Sequence, residues 1–220
     1  MPLTVVSCCT YLTDADGVDW RRPDYDAHDF VMAVKAEPFN GHAYVPCGNQ
    51  LHRIANDNRD IALELFARMA APVGAGHGLV RPVALVPLPN SRSSVGTLPP
   101  RTLAQARALA GYLGAGATVA DVLRWTEPMP SARSASGSRD PQMLFDKLTL
   151  VDAAFREGDR VVLVDDVLTS GGHLQAAAAR LRERALHVAL AVVAGRSDRT
   201  QVDQPFAARV ETLVDFVPRH

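Results

Sequence analysis

The stretch from Val161 to His173 constrains the fold of this chain more than any other part of the sequence. Four apolar residues, Val161–Val164, are followed by Asp165 and Asp166, then by Val-Leu, and then by a Thr-Ser-Gly-Gly-His turn. Such a short apolar run, bounded by polar residues, is typical of a central parallel strand with helices on both faces. The Ala-, Leu- and Arg-rich residues after the turn predict a helix. The sequence therefore predicts an α/β fold with an open, mainly parallel, twisted sheet flanked by helices.

Two adjacent acids at the end of a parallel strand predict a ligand site, because ligands of open α/β sheets bind beyond the carboxyl ends of the strands. The glycines of the turn let the backbone approach a ligand closely, and the N-terminus of the following helix favours an anion. The aspartates can accept hydrogen bonds from ribose hydroxyls, so we expect a sugar phosphate here. The alternative is a simple strand-to-helix turn capped by Ser170, which would not require two acids.

The overall composition argues against some classes of partner. The chain has 220 residues, 47% of them hydrophobic, and a net charge of −1. This length is sufficient for a full core, and the near-neutral charge gives no general attraction to nucleic acid or to an anionic membrane. No apolar stretch approaches the roughly 18 residues that span a bilayer, and the first ten residues lack the charged region of a signal peptide. We therefore expect a cytoplasmic protein without a membrane partner.

The three cysteines, Cys8, Cys9 and Cys47, are an odd number without a paired spacing. We expect them to be reduced thiols, as is usual in a cytosolic chain. The alternative is a zinc site built from Cys47 with His42 and His52, although structural zinc sites usually show other ligand spacings.

A second apolar strand, Val83–Pro89, leads into a polar loop, Asn90-Ser-Arg-Ser-Ser94. Several hydrogen-bond donors and one cation, Arg92, suit a pyrophosphate group. The alternative is a solvated polar turn. Local patterns predict further elements: the helices Asp60–Ala71 and Thr102–Leu113, and the strands Leu3–Cys9, Thr118–Trp125, His187–Ala194 and Val210–Val217.

The long segment Thr126–Asp159 begins with a run of Pro, Ser, Gly and Arg that cannot form a core. A long connection inside a compact domain is usually a functional lid or a disordered linker. If it is a lid, Arg133 and Arg139 are the candidates for closing over a diphosphate. If it is a linker, these arginines contact only solvent.

We divide the chain into an N-terminal segment, residues 1–79, and a core, residues 80–220. The N-terminal segment is predicted to form a small hood. Its residues 29–58 offer stacking and hydrogen-bonding groups that the sequence does not rank: Lys35, Phe39, Asn40, His42, Tyr44 and Asn49.

Residues 80–217 resemble a type I phosphoribosyltransferase domain, and within that superfamily the ComF-type, competence-associated branch. The resemblance is carried by Val86-Pro-Leu-Pro89 before the polar loop, Arg139-Asp-Pro-Gln142, Ala154-Phe155, and Val164-Asp-Asp-Val-Leu-Thr-Ser-Gly171. It implies Mg²⁺ as cofactor and phosphoribosyl pyrophosphate (PRPP) as substrate. Dimers are common in the superfamily, so a homodimer is an expectation.

The resemblance also implies roles for individual residues. Asp165 and Asp166 would hold the ribose hydroxyls and, through water, the Mg²⁺ ion. The 5′-phosphate would be bound by Val167, Leu168, Thr169, Ser170, Gly171, Gly172 and His173. Asn90, Ser91 and Arg92 would contact pyrophosphate. Thr169 stands where purine-salvage relatives carry an acidic base. His173 therefore either replaces that base or serves only as a hydrogen-bond donor to the 5′-phosphate.

These observations lead to three hypotheses of function. The first is Mg²⁺-dependent transfer of a 5-phosphoribosyl group from PRPP to a nitrogen acceptor such as a nucleobase, with release of pyrophosphate. The second is a PRPP or nucleotide sensor without catalysis. The third, suggested only by the ComF resemblance, is an accessory role in DNA uptake or processing, against which the net charge of −1 argues mildly.

Overall fold

The computed structural model of the chain describes residues 1–13, 17–96, 99–130, 140–151, 155 and 158–219. Arg133 and Arg139, the predicted lid arginines, lie outside these ranges.

Five helices and ten strands are formed by the described residues. The helices are α1 (Arg22–Val34), α2 (Asp60–Ala75), α3 (Thr102–Leu113), α4 (Pro141–Asp146) and α5 (Gly172–Arg182). The strands are β1 (Leu3–Leu12), β2 (His42–Cys47), β3 (Gln50–Ala55), β4 (Val83–Pro87), β5 (Ala117–Val119), β6 (Leu123–Trp125), β7 (Leu148–Leu150), β8 (Arg160–Leu168), β9 (His187–Asp198) and β10 (Arg209–Leu213).

Six of these strands form one sheet in the order β10-β1-β9-β8-β4-β5. Every neighbouring pair is parallel except β10 and β1, which are antiparallel. The predicted α/β fold with a mainly parallel sheet is thereby confirmed. Strand β8 is longer than predicted and continues through both aspartates to Leu168, because β9 also continues and pairs Leu168 with Arg196.

Helices cover both faces of this sheet, and side chains of β8 alternate between the two layers. Val162 and Val164 join the core that contains α1, α2 and α3. Val161 and Leu163 join the opposite core, which contains α4 and α5. The continuous apolar run of β8 is thus explained by burial on both faces.

Strand β1 belongs by sequence to the N-terminal segment, residues 1–79, but pairs with strands of the core. This strand lies inside the main sheet, between β9 and β10, and nearly all of its residues are buried. Its apolar sequence predicts a strand but does not indicate its partners, which come from the other end of the chain. Of the N-terminal residues, the antiparallel hairpin β2–β3 stands outside the main sheet.

The strand predicted at Thr118–Trp125 is two strands in different sheets. β5 pairs with β4 in the main sheet, whereas β6 pairs with β7 in a small sheet of its own. Among the described residues, no helix has the length and apolarity required to cross a membrane.

Candidate functional site

The acid pair lies in the last part of β8. Asp165 is only 8% exposed, while Asp166 is half-buried. The backbone amide of Asp166 donates to Oδ1 of Asp165 at 2.8 Å. Burial and the adjacent Asp166 raise the pKa of Asp165 well above its usual range, and the amide bond, Lys35 and Arg101 oppose this only in part. A buried acid of this kind is stabilised in its charged form by a nearby cation.

The turn after β8 has the geometry of an anion site. Gly171 precedes α5 with a left-handed backbone, φ 84°, which residues with a Cβ adopt at a cost. No side chain caps this helix, so Ser170 is not the cap considered above. The amides of the first helical turn have no acceptor within the helix. They and the helix dipole are therefore available to a phosphate group.

Strands β9 and β10 contact this turn and the residue that leads into it. The carbonyl of Leu168 accepts from Oγ of Ser197 at 3.3 Å and from Nη1 of Arg196 at 3.4 Å. A Cβ placed on Gly171 would lie 2.7 Å from Cδ1 of Leu213 in β10. The entry to the turn and its glycine are thus both in contact with neighbouring strands.

His173, at the end of the turn, lies close to the acid pair. Its ring stacks on Trp125 with a centroid distance of 5.1 Å, and its Nδ1 lies 3.6 Å from Oδ2 of Asp165, beyond hydrogen-bond range. Its Nε2 is buried and has no hydrogen-bond partner among the residues that the structure describes. Burial lowers the pKa of His173 from 6.5 to about 4. The imidazole is therefore neutral at pH 7 and a weak general base.

The polar loop Asn90–Ser94 lies beside the end of β8. The amide of Leu88 donates to the carbonyl of Val164 at 2.9 Å, and Nε1 of Trp125 donates to the carbonyl of Asn90 at 3.0 Å. Ser93 and Ser94 are buried, which does not fit a simple solvated turn. Arg92 is exposed. The structure therefore places the start of the loop beside Val164, the residue before Asp165.

Two further cations lie near the acid pair. Lys35, the C-cap of α1, and Arg101, the N-cap of α3, both lower the pKa of Asp165 and so lie within its electrostatic reach. From the sequence, Lys35 is expected only as one of several unranked hood residues, and no role is expected for Arg101. The one signal for Arg101 is its position at the start of the helix that follows the polar loop.

The acid pair can hold a hydrated Mg²⁺ ion together with substrate phosphates. Mg²⁺ keeps several waters and usually takes one or two protein carboxylates plus phosphate oxygens, so two adjacent aspartates fit it. No group of three or more His, Cys, Asp or Glu side chains suited to a metal occurs within the described ranges. The zinc site considered around Cys47 is therefore not formed by them.

Comparison with known proteins gives one family and a set of similar folds. Residues 108–218 match the model of the phosphoribosyl transferase domain. The adenine phosphoribosyltransferase of Saccharomyces cerevisiae is 16% identical, with 77% of this chain and 89% of that chain covered and a TM-score of 0.42. The adenine phosphoribosyltransferase of Thermoanaerobacter pseudethanolicus is 18% identical, with 77% of this chain and 87% of that chain covered and a TM-score of 0.42. A hypoxanthine phosphoribosyltransferase from Staphylococcus aureus is 8% identical, with 66% of this chain and 70% of that chain covered and a TM-score of 0.41. No curated protein matches the sequence.

Proposed function

Because the chain belongs to the phosphoribosyl transferase domain family, we propose that it transfers a 5-phosphoribosyl group from PRPP to a nitrogen acceptor such as a nucleobase and releases pyrophosphate. One observation carries the proposal. Two residues after the acid pair, β8 ends at a turn and a helix N-terminus that no side chain caps. A ribose with a 5-phosphate requires this combination, because its hydroxyls need acceptors while its phosphate needs donors.

In the proposed complex, the residues Val167–His173 bind the 5′-phosphate through backbone amides and the hydroxyls of Thr169 and Ser170. Asp165 and Asp166 accept hydrogen bonds from the ribose hydroxyls and hold Mg²⁺ through its water shell. When bound, the ion offsets the charge of the departing pyrophosphate. The raised pKa of Asp165 supports this arrangement, since a cation beside it favours the ionised carboxylate.

The ribosyl centre must be shielded from water during transfer, or PRPP would be hydrolysed. The polar loop residues Asn90, Ser91 and Arg92 are proposed to contact the pyrophosphate. Closure by Arg133 and Arg139 remains a proposal, as do acceptor recognition by the hood, assignment to the ComF-type branch, a cytoplasmic location and a homodimer.

A PRPP sensor without catalysis is the second candidate, and it has an observation in its favour. Thr169 cannot act as a general base, and His173, with a pKa of about 4, is a poor one at neutral pH. The binding half of the site does not depend on either residue acting as a base. The accessory role in DNA uptake has no comparable support.

Calorimetric titration with PRPP, with and without Mg²⁺, followed by a panel of nucleobases monitored for pyrophosphate, tests the proposal. We expect Mg²⁺-dependent binding and pyrophosphate release with at least one base, and we expect Asp166→Asn to abolish turnover. Asp57→Asn, at an exposed acid before α2, is the matched control and should retain full activity. An undiminished transfer rate in Asp166→Asn would refute the proposal. PRPP binding without release of pyrophosphate in the presence of any base would select the sensor.

A further inference from the structure

Lys35, Glu37 and Arg101 form a cluster in which one carboxylate serves two cations. Oε1 of Glu37 lies 3.2 Å from Nζ of Lys35 and 3.1 Å from Nη1 of Arg101. Burial opposes ionisation of Glu37, but the two cations prevail and lower its pKa. Lys35 is only 7% exposed, so its ammonium depends on protein partners. Glu37 is the one carboxylate in this cluster for two cations, and Asp165 is a further acid within their electrostatic reach.

The cluster is tied to the end of β8 by a short chain of hydrogen bonds. Thr102, next to Arg101, donates through Oγ1 to the carbonyl of Leu88 at 2.6 Å. The amide of Leu88 donates to the carbonyl of Val164, the residue before Asp165, at 2.9 Å. Nη1 of Arg101 also lies 3.4 Å from the carbonyl of Lys35, which joins α3 to α1. The two cations are therefore held at the edge of the sheet where the acid pair lies.

The turn that carries Glu37 is strained. Ala36 has φ 55°, a left-handed conformation that is unfavourable for any residue with a Cβ. The amide of Ala36 donates to the carbonyl of Ala33 and that of Glu37 to the carbonyl of Met32, the pattern of a Schellman motif, which usually has Gly at this position. The turn returns the Glu37 carboxylate to Lys35, at the end of its own helix. Strained residues of this kind occur preferentially at ligand clamps and switches.

The cluster has the chemistry of a site for a diphosphate. Arginine offers a planar fork of donors, lysine offers a compact charge, and both bind phosphate oxygens. The N-terminus of α3, at Arg101, has no side-chain cap and adds partial positive charge. The carboxylate of Glu37 binds these cations in the way that an oxygen of a phosphate group would.

We propose that Lys35 and Arg101 bind the pyrophosphate group of PRPP and that Glu37 is an internal substitute for this anion, which the ligand displaces. The inference rests on the proposed function, since PRPP is the ligand that brings a pyrophosphate to this edge. Binding exchanges two ion pairs with Glu37 for two with the ligand. Glu37 therefore weakens pyrophosphate binding in the wild-type protein and vacates the site only for a ligand of higher charge.

Calorimetric titration with inorganic pyrophosphate, and separately with ribose 5-phosphate, tests this exchange. Lys35→Met and Arg101→Met should each weaken pyrophosphate binding by about tenfold or more, the usual effect of removing a charged hydrogen-bond donor. Glu37→Gln should tighten it by about threefold to tenfold, because the cations no longer have a competing carboxylate. Ribose 5-phosphate affinity should be nearly the same in all three variants.

Arg59→Met is the matched control. Nη1 of Arg59 donates to the carbonyl of Ala36 in the same turn, and its other contact is with Asn56 rather than Glu37. We expect this variant to leave pyrophosphate affinity unchanged. If Glu37→Gln lowers the melting temperature, Arg101→Met, at an exposed side chain, still tests binding by the cations, and unchanged pyrophosphate affinity in that variant overturns the proposal.

The two proposals fail in different ways. Pyrophosphate affinity that is unchanged or weaker in Glu37→Gln, with normal ribose 5-phosphate binding, overturns the exchange and leaves the proposed function standing. Absence of ribose 5-phosphate binding in the wild-type protein counts against the proposed function, whereas the pyrophosphate series still decides the role of Glu37.

Discussion

Replacing Gly171 by alanine tests whether the turn after β8 is built as an anion site. The substitution has two costs. A left-handed φ of 84° is unfavourable for alanine by roughly 1–2 kcal/mol. The new Cβ would also lie 2.7 Å and 2.9 Å from the two Cδ atoms of Leu213. Leu213 is only partly buried and can shift, so we assign this contact about 1 kcal/mol, the low end for overpacking.

The expected loss of stability is therefore about 2–3 kcal/mol, which for a chain of this length lowers the melting temperature by roughly 4–12 °C. Thermal and urea unfolding measure the loss directly. Calorimetry with ribose 5-phosphate measures the second consequence, a weaker phosphate site, because the Cβ displaces the turn from β10.

Two controls separate the two costs. Gly41→Ala has a similar φ of 76°, and its Cβ meets no described atom within 4 Å, so it should show only the backbone cost of roughly 1–2 kcal/mol. In a Leu213→Ala background, Gly171→Ala should cost about 1 kcal/mol less than in the wild type, because the overpacked contact is gone. Equal costs in the two backgrounds, together with normal ribose 5-phosphate binding, would refute this account of the turn.

Two further predictions concern the charges of the site. Asp165→Asn should stabilise the folded protein at pH values above the unfolded-state pKa of about 3.9, and the gain should grow as pH rises towards the raised pKa of Asp165 and disappear in acid. Urea unfolding across this pH range measures the gain. Loss of Mg²⁺-dependent PRPP binding should accompany it. His173 has a pKa of about 4 when folded against 6.5 as a free group, so the unfolded chain binds the additional proton in this window and stability should fall as pH falls from 6.5 to 4. His173→Gln should flatten that slope by about one proton, and an unchanged slope would show that the ring is not desolvated.

Elements whose signal is local are well predicted from the sequence. The helix predicted at Thr102–Leu113 is α3 itself, since its apolar spacing is short-range and Gly114 ends it. The apolar run at Val161 predicts β8 and its place in the sheet, because few arrangements other than a central parallel strand bury both faces. In contrast, the split of Thr118–Trp125 into β5 and β6 depends on which strands they pair with, and that is a tertiary property.

The candidate site shows the same limit. The acid pair and the glycine turn are contiguous in sequence, so their proximity follows from the chain itself. Lys35 and Arg101 are 66 residues apart, and their contact depends on where the end of α1 meets the start of α3. The low pKa of His173 likewise depends on burial beside Trp125, which no local pattern reveals. Roles assigned to single residues of the site remain predictions.

The position of β1 has a consequence for how the molecule is assembled. This strand lies between β9 and β10. The Sγ of Cys9 in β1 donates a hydrogen bond to the carbonyl of Ala194 in β9, 185 residues further along the chain. Such non-local pairing makes closure of the sheet a slow, late event in folding. During synthesis β1 leaves the ribosome before both of its neighbours, β9 and β10, and cannot pair until they follow. A fragment that lacks residues 1–12 would leave β9 with an open, apolar edge, and we expect it to aggregate rather than to fold.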